Sequence, residues 1–373
     1  MQPEESGKLG EAACLWRLRA LSFCLPGNSA LIFLRIGDSG ESDDVPAKPT
    51  IAIAMGDPAG IGPELIVKVL ADRNIFERCR PIVIGDLSTL RNAAASLGSA
   101  LRFRLIADLA EAQFQPPALD LLAPPGFDLG APLPPAVHPK LGEAAQRYLA
   151  LAYELAMENR VDGVLMAPVN KESFRAAGYD YFDELQFLGE LTGSEEPYIL
   201  GAAGPIWAVA VTEHIPFKDI VGQLTSERVG RYIEHLASVL QKLGCASPRI
   251  ACAALNPHAG EGGLFGREEI DIIAPAIAKA QSNDIDVDGP VPADIVFKRA
   301  LDGDFDGVVF MYHDQMNIAR KLQPRANIAT LWMGLPVIGA TTAHGTAFDI
   351  AGKGIADPGS LRAALDHVIR LAI

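Results

Sequence analysis

From Thr50 onward the chain repeats one pattern: a short apolar run, a turn rich in Gly or Pro, then a stretch with helical spacing. Ile51–Met55 precedes Pro63–Asp72, and Pro81–Ile84 precedes Ser88–Leu97. Short apolar runs without polar alternation are strands buried on both faces, and the helices between them are the crossovers that parallel neighbours require. The pattern predicts an α/β fold around a largely parallel sheet. Leu141–Asn159 reads as a long amphipathic helix, and Val161–Met166 as the buried strand after it.

Two segments interrupt the pattern. Residues 116–139 hold eight prolines (Pro116, Pro117, Pro124, Pro125, Pro132, Pro134, Pro135 and Pro139). Neither a helix interior nor a central strand tolerates that density, so an extended connection between domains is expected there. Residues 1–49 read as an extension outside the fold: Cys14–Ile36 is apolar but broken by Arg17, Arg19, Pro26 and Arg35, and Gly37–Lys48 is a polar linker. The uninterrupted apolar stretch of a secretory signal is missing.

Composition narrows the partners. With 46 acidic against 32 basic residues the net charge is −14, a poor match for a nucleic-acid backbone. A hydrophobic content of 49% supports a packed core, and no apolar run reaches the roughly 18 residues of a membrane-spanning helix. The five cysteines (Cys14, Cys24, Cys79, Cys245, Cys252) are odd in number and never in CxxC spacing, which reads as reduced thiols of a cytoplasmic protein.

Three of the seven histidines share one context. His214 follows the apolar run Trp207–Val211, His258 follows Ile250–Leu255, and His313 follows Gly307–Met311. Ligands of parallel α/β sheets bind outside the carboxyl ends of strands, and imidazoles delivered there from three strands could converge on one divalent cation. The alternative for each is a hydrogen-bonded loop histidine. His138, His235 and His367 lie in the Pro-rich loop or on helical faces and read as structural.

Two glycine-rich turns, Gly56–Glu64 and Asn256–Gly263, lack GxGxxG spacing and, taken alone, read as strand-to-helix connections. The stretch His344–Pro358 (HGTAFDIAGKGIADP) is more informative. Its small residues let the main chain approach a flat ring, and Asp349 could accept hydrogen bonds from a ribose hydroxyl pair.

That stretch looks like the adenine-nucleotide loop of the isopropylmalate dehydrogenases. From about Thr50 the chain more closely resembles the 4-hydroxythreonine-4-phosphate dehydrogenase family. The resemblance rests on MGDPAGIGPE (55–64), APVNK (167–171), TEHIP (212–216), LNPHAGEGGLFGREEID (255–271), GPVPAD (289–294), YHDQ (312–315) and HGTAFDIAGKG (344–354), in the family's order.

The resemblance implies a two-domain α/β/α fold of the isocitrate/isopropylmalate dehydrogenase type with an interdomain cleft. Residues 50–145 and 310–373 would form the nucleotide-binding domain, and 146–309 the metal, substrate and dimerisation domain. It implies a homodimer with shared active sites, one metal ligand coming from the partner subunit. The three metal histidines fall on His214, His258 and His313. The substrate lysine falls on Lys321, and Gly345, Thr346, Ala347, Asp349, Ile350 and Gly352 fall in the loop that holds NAD or NADP. The cation itself is left open among zinc, cobalt and magnesium.

The substrate contacts depart from the family. Its His-Thr pair aligns with Glu184 and Leu185, its asparagine with Thr330, and its arginine with Gly339. Losing an arginine removes an oriented anion contact, so the substrate here can differ from the vitamin B6 precursor of pyridoxine biosynthesis. The expected reaction is oxidation of a secondary alcohol β to a carboxylate in a small hydroxyacid, with decarboxylation. Lys321 leads the candidates for orientation or proton transfer, with Lys171 and Asp314 behind it. The alternatives are a sugar-acid or aromatic cis-dihydrodiol carboxylate dehydrogenase or, from another class, a metal-dependent lyase or hydrolase or a ligand-binding protein. The intact nucleotide loop favours the redox reading.

Overall fold

The structure is a computed structural model that describes residues 48–181 and 183–372; the expected extension lies, but for its last two residues, outside them. Among the described residues twelve strands form one sheet. In chain order they are β1 (Thr50–Ala54), β2 (Arg80–Ile84), β3 (Arg102–Ile106), β4 (Ala118–Leu122), β5 (Gly163–Met166) and β6 (Tyr198–Ala203). Then come β7 (Ile206–Thr212), β8 (Ile250–Ala253), β9 (Val287–Val291), β10 (Gly307–Tyr312), β11 (Ile328–Met333) and β12 (Gly339–Thr341). The spatial order is β3-β4-β2-β1-β5-β12-β11-β6-β7-β10-β8-β9.

Six strands, from β3 to β12, run parallel, as do β7, β10, β8 and β9. Between these blocks lie three antiparallel pairings, β12·β11, β11·β6 and β6·β7. Three reversals leave the two blocks pointing in opposite directions. The α/β class and the largely parallel sheet expected from the sequence are what the structure has.

Burial explains the composition of the strands. All five residues of β1 and all seven of β7 are buried, as strands covered on both faces must be. The helix Pro139–Met157 buries Leu141, Ala145, Tyr148, Leu149, Ala152, Tyr153 and Ala156, the i, i+3, i+4 stripe of an element packed on a sheet. Each fully buried large apolar side chain contributes about 2 kcal/mol. Cys79 and Cys252 are core filler, their thiols pushed up to about 12 by burial.

The Pro-rich segment corrects the expectation drawn from it. Residues 118–122 form β4, paired on both sides with β2 and β3. Pro116, Pro117, Pro124 and Pro125 bracket this strand without entering it, so every ladder N–H survives. Pro139 opens the long helix, whose first turn has no use for its missing N–H.

The three histidines read as structural have packing or capping roles. His138 caps the helix Pro139–Met157, its Nδ1 accepting from Lys140 N at 3.1 Å. His235 stacks on Tyr198 with ring centroids 4.4 Å apart. His367 meets the edge of Trp207 at 4.8 Å.

Burial pushes His367 down to about 4 from an ordinary 6.5. The folded state therefore holds it neutral, and the stability this gives is complete above pH 6.5 and lost as pH falls towards 4. Between pH 7 and 4 the protein should lose about 2–3 kcal/mol more than the variant His367→Phe, measured by denaturant titration. Equal acid losses would contradict this.

Candidate active site

A cavity of about 290 Å³ opens on the middle of the sheet, where strand direction reverses. Its floor includes Thr330 and Trp332, two apart on β11 and so on one face, with Ile199 of β6 beside them. One wall comes from the exits of β5 and β12, with Lys171 and residues 342–345. The opposite wall comes from the exits of β7 and β10, with Glu213, His214 and the helix His313–Lys321. Asp183, Glu184 and Leu185, at the start of the helix Glu184–Thr192, complete it.

Ligand atoms of Glu213, His214 and His313 all lie within 4.8 Å of one another, and the two imidazole centroids are 5.4 Å apart. Each ring has a carboxylate at Nδ1: Asp183 Oδ2 at 2.5 Å from His214, and Asp314 Oδ1 at 2.6 Å from His313. A carboxylate accepts, so each Nδ1 donates, and both Nε2 lone pairs are left for a cation. Burial opposes ionisation of Asp183, but the hydrogen bonds from His214 and Gln186 N outweigh it and hold its pKa low. The donor set fits a divalent metal, with a carboxylate oxygen of Glu213 as the third corner of the same cluster.

His258 is elsewhere. It is 70% exposed on the loop Pro257–Gly263, its Nδ1 3.3 Å from Glu261 Oε2. Residues 258–262 all have positive φ, a left-handed run that includes three residues with side chains. The buried Glu269 pins its base, accepting from Leu255 N at 2.9 Å, Asn256 N at 2.7 Å and Asn256 Nδ2 at 2.9 Å. A buried carboxylate holds this strained run, and the imidazole stands in solvent, outside the cluster of Glu213, His214 and His313.

Charge is concentrated in the cavity. Glu213 has both carboxylate oxygens buried without a partner, and burial pushes it up to about 7. Burial also raises Glu184. Lys321 is lowered, first by partial burial and then by its neighbour Arg320. Arg320 is 3% exposed, and burial pushes it down to about 10.

The structure brings His214, His313, Asp314, Lys171, Lys321, Glu184 and Thr330 to this cavity or its rim. Gly339 is not among them. It is buried in β12, and a Cβ there would lie 2.0 Å from the Tyr153 hydroxyl and 2.8 Å from Trp332, so position 339 has no room to present a side chain to the cavity. Sequence reading passed over Asp183, Glu213, Asn317 and Arg320. A helical wheel could have found the last two: positions 313, 317, 320 and 321 share one face of the helix.

The loop after β12 borders two cavities. Gly345 lines the first; Gly352, with Ala351 and Gly354, lines a second of about 230 Å³ beside Pro58, Ala59 and Gly60. Gly60 is needed for the contact, since a Cβ there would lie 2.9 Å from Thr346 Cβ, and Ile61 N donates to Thr346 O at 3.0 Å. Thr346 is buried, Ala347 and Ile350 are partly buried against the core, and Asp349 is exposed. Glu64, 4% exposed, anchors the loop: its carboxylate accepts from Ala356 N at 2.8 Å, Gly354 N at 3.1 Å and Lys68 Nζ at 2.7 Å.

Paired imidazoles, an unpartnered carboxylate and a buried guanidinium lining one cavity on the face of a sheet are an enzyme's equipment, and such burial would be a needless cost in a scaffold. Residues 77–368 match the family described as pyridoxal phosphate biosynthetic protein PdxA. The chain is 42% identical over 329 residues to the D-threonate 4-phosphate dehydrogenase of Cupriavidus necator, covering 87% of this chain and 97% of that protein. It is similar to a solved structure of 4-hydroxythreonine-4-phosphate dehydrogenase from Klebsiella pneumoniae, with 36% identity, TM-score 0.76, and coverage of 87% and 100%. A terephthalate 1,2-cis-dihydrodiol dehydrogenase from Burkholderia xenovorans is 32% identical, with TM-score 0.59 and coverage of 87% and 98%. The chain is an oxidoreductase acting on a CH–OH group. It belongs to the PdxA family.

Replacing the loop anchor should loosen the loop specifically. Glu64→Ala leaves two amides without their acceptor and Lys68 with only the carbonyls of Gly354 and Ala356, an expected loss of about 2–4 kcal/mol, with faster hydrogen exchange at Gly354 and Ala356. Glu64→Gln should lose less. Unchanged melting and exchange in Glu64→Ala would show that the loop is held by other contacts.

Proposed function

We propose that the protein is a metal-dependent, NAD(P)-linked dehydrogenase of a small phosphorylated hydroxyacid of the D-threonate 4-phosphate type. It would oxidise the secondary alcohol β to the carboxylate, and the β-keto acid so formed would lose CO2. The observation that carries this reading is the pair His214 and His313, each with Nδ1 committed to a carboxylate and both rings clustered with Glu213. The similarity to the Cupriavidus necator enzyme favours the phosphorylated acid, as do the cations Lys171, Arg320 and Lys321 in the same cavity.

When bound, a divalent cation supplies Lewis-acid polarisation of the hydroxyl, and a nicotinamide accepts the hydride. His214 and His313 would hold the cation, with Asp183 and Asp314 fixing their tautomers. The exposed His258 supplies the third imidazole to a second copy of the chain, making a homodimer the active unit. Lys171 and Lys321 hold the substrate by charge, and the lowered pKa of Lys321 suits it to carry a proton to or from the reacting carbon skeleton. Residues 345–352 border both cavities, where they can hold the dinucleotide with its nicotinamide end at the substrate.

Purified protein with D-threonate 4-phosphate, NAD or NADP and a divalent cation should form reduced nicotinamide, and chelation should lower the rate by at least about a hundredfold. Zinc, cobalt and magnesium tested singly would name the metal. Full activity in thoroughly chelated protein would contradict the metal role. Mixing inactive His214→Ala and His258→Ala subunits should restore about a quarter of wild-type activity, because one site of each mixed dimer regains all its ligands. No recovery from verified mixed dimers would contradict sharing.

A further inference from the structure

Arg320 is a buried cation. It lies on the helix His313–Lys321 at 3% exposure, and among the described residues it makes no ion pair. Its bonds are to neutral acceptors: Nη1 donates to Ala329 O at 2.9 Å, and Nη2 to Asn317 Oδ1 at 2.8 Å and Thr330 Oγ1 at 3.2 Å. Nε has no partner. A guanidinium carries five N–H groups, so three bonds leave two unspent. Nearby Glu213 affects it only through the field, its own oxygens being equally unpartnered.

The surroundings hold this guanidinium in place. Asn317 is itself fixed, its Nδ2 donating to His313 O at 3.1 Å while its Oδ1 receives Arg320. Beneath lies the antiparallel pair Thr330 and Gly201 of β11 and β6. A Cβ at position 201 would sit 2.6 Å from Arg320 Nη1, so the bare backbone of Gly201 makes the berth. A planar, preorganised cation that lines a cavity and makes no ion-pair contact among the described residues is built for an oxyanion.

We propose that Arg320, oriented by Asn317 and Thr330 over Gly201, receives an anionic group of the substrate, its phosphate or its carboxylate, and is a specificity-determining residue of this cavity. This rests on the reading of the cavity as a hydroxyacid dehydrogenase site.

The test uses the metal-loaded dimer and D-threonate 4-phosphate. Arg320→Met should raise KM for the acid about 10- to 100-fold while KM for the dinucleotide stays within about twofold, and Arg320→Lys should recover part of the loss. Inorganic phosphate and malonate serve as competitors. Loss of phosphate competition in Arg320→Met assigns the phosphate, and loss of malonate competition assigns the carboxylate; either supports the proposal. Unchanged KM with unchanged competition by both overturns it. If Arg320→Met fails to fold, Gly201→Ala crowds the guanidinium without removing a donor and should raise the same KM; a KM unchanged there and in Arg320→Lys overturns the proposal. If the wild type turns over no phosphohydroxyacid, the functional reading fails while calorimetry still decides this one. Phosphate or malonate binding to wild type and not to the folded variant supports it, and equal binding overturns it.

Discussion

Strand direction reverses in the middle of a single sheet, and the site depends on that reversal. Two blocks of parallel strands point in opposite directions, so their carboxyl ends lie at opposite rims. The antiparallel strands β11 and β6 stand between them and are overlooked from both sides. Lys171 and residues 342–345 arrive from one block, His214 and His313 from the other, and both meet over Thr330 and Trp332. Ligands of α/β sheets bind beyond the carboxyl ends of strands, and here the exits of both blocks border one crevice.

The cavity concentrates groups that burial penalises. Glu213, Glu184 and Arg320 all titrate away from their ordinary ranges, chiefly through loss of solvent. In an apolar core such groups would be replaced at a gain in stability. Here the surrounding sheet, with β1 and β7 fully buried, supplies the stability that such groups withdraw. The same division appears in the left-handed run at 258–262, whose base Glu269 ties at three donors.

Much of this was legible in the residues. Apolar runs located β1, β2, β5, β7, β8 and β10, because strands buried on both faces leave no other pattern. The position of His214 and His313 just beyond two of those runs brought them to one cluster. His258 was found by the same rule, while the exposure of its loop follows from backbone angles that spacing does not encode. Counting prolines between 116 and 139 hid β4, because what matters is whether a proline lies inside the ladder. Arg320 and Glu213 look ordinary in sequence; they stand out only once burial without a partner is visible. Gly339 drew notice as a lost contact, whereas Tyr153 and Trp332 already fill the space a side chain would need.

The account centres on His214 and His313 as ligands of one cation completed by a second subunit. An anomalous-difference map from crystals of the protein soaked in zinc tests this most directly. The account expects one peak per protomer within bonding distance of both Nε2 atoms, at about 2.0–2.1 Å, with the partner subunit's His258 as the third imidazole. Zinc bound elsewhere, or a peak at this cluster with His258 remote in both subunits, would contradict it.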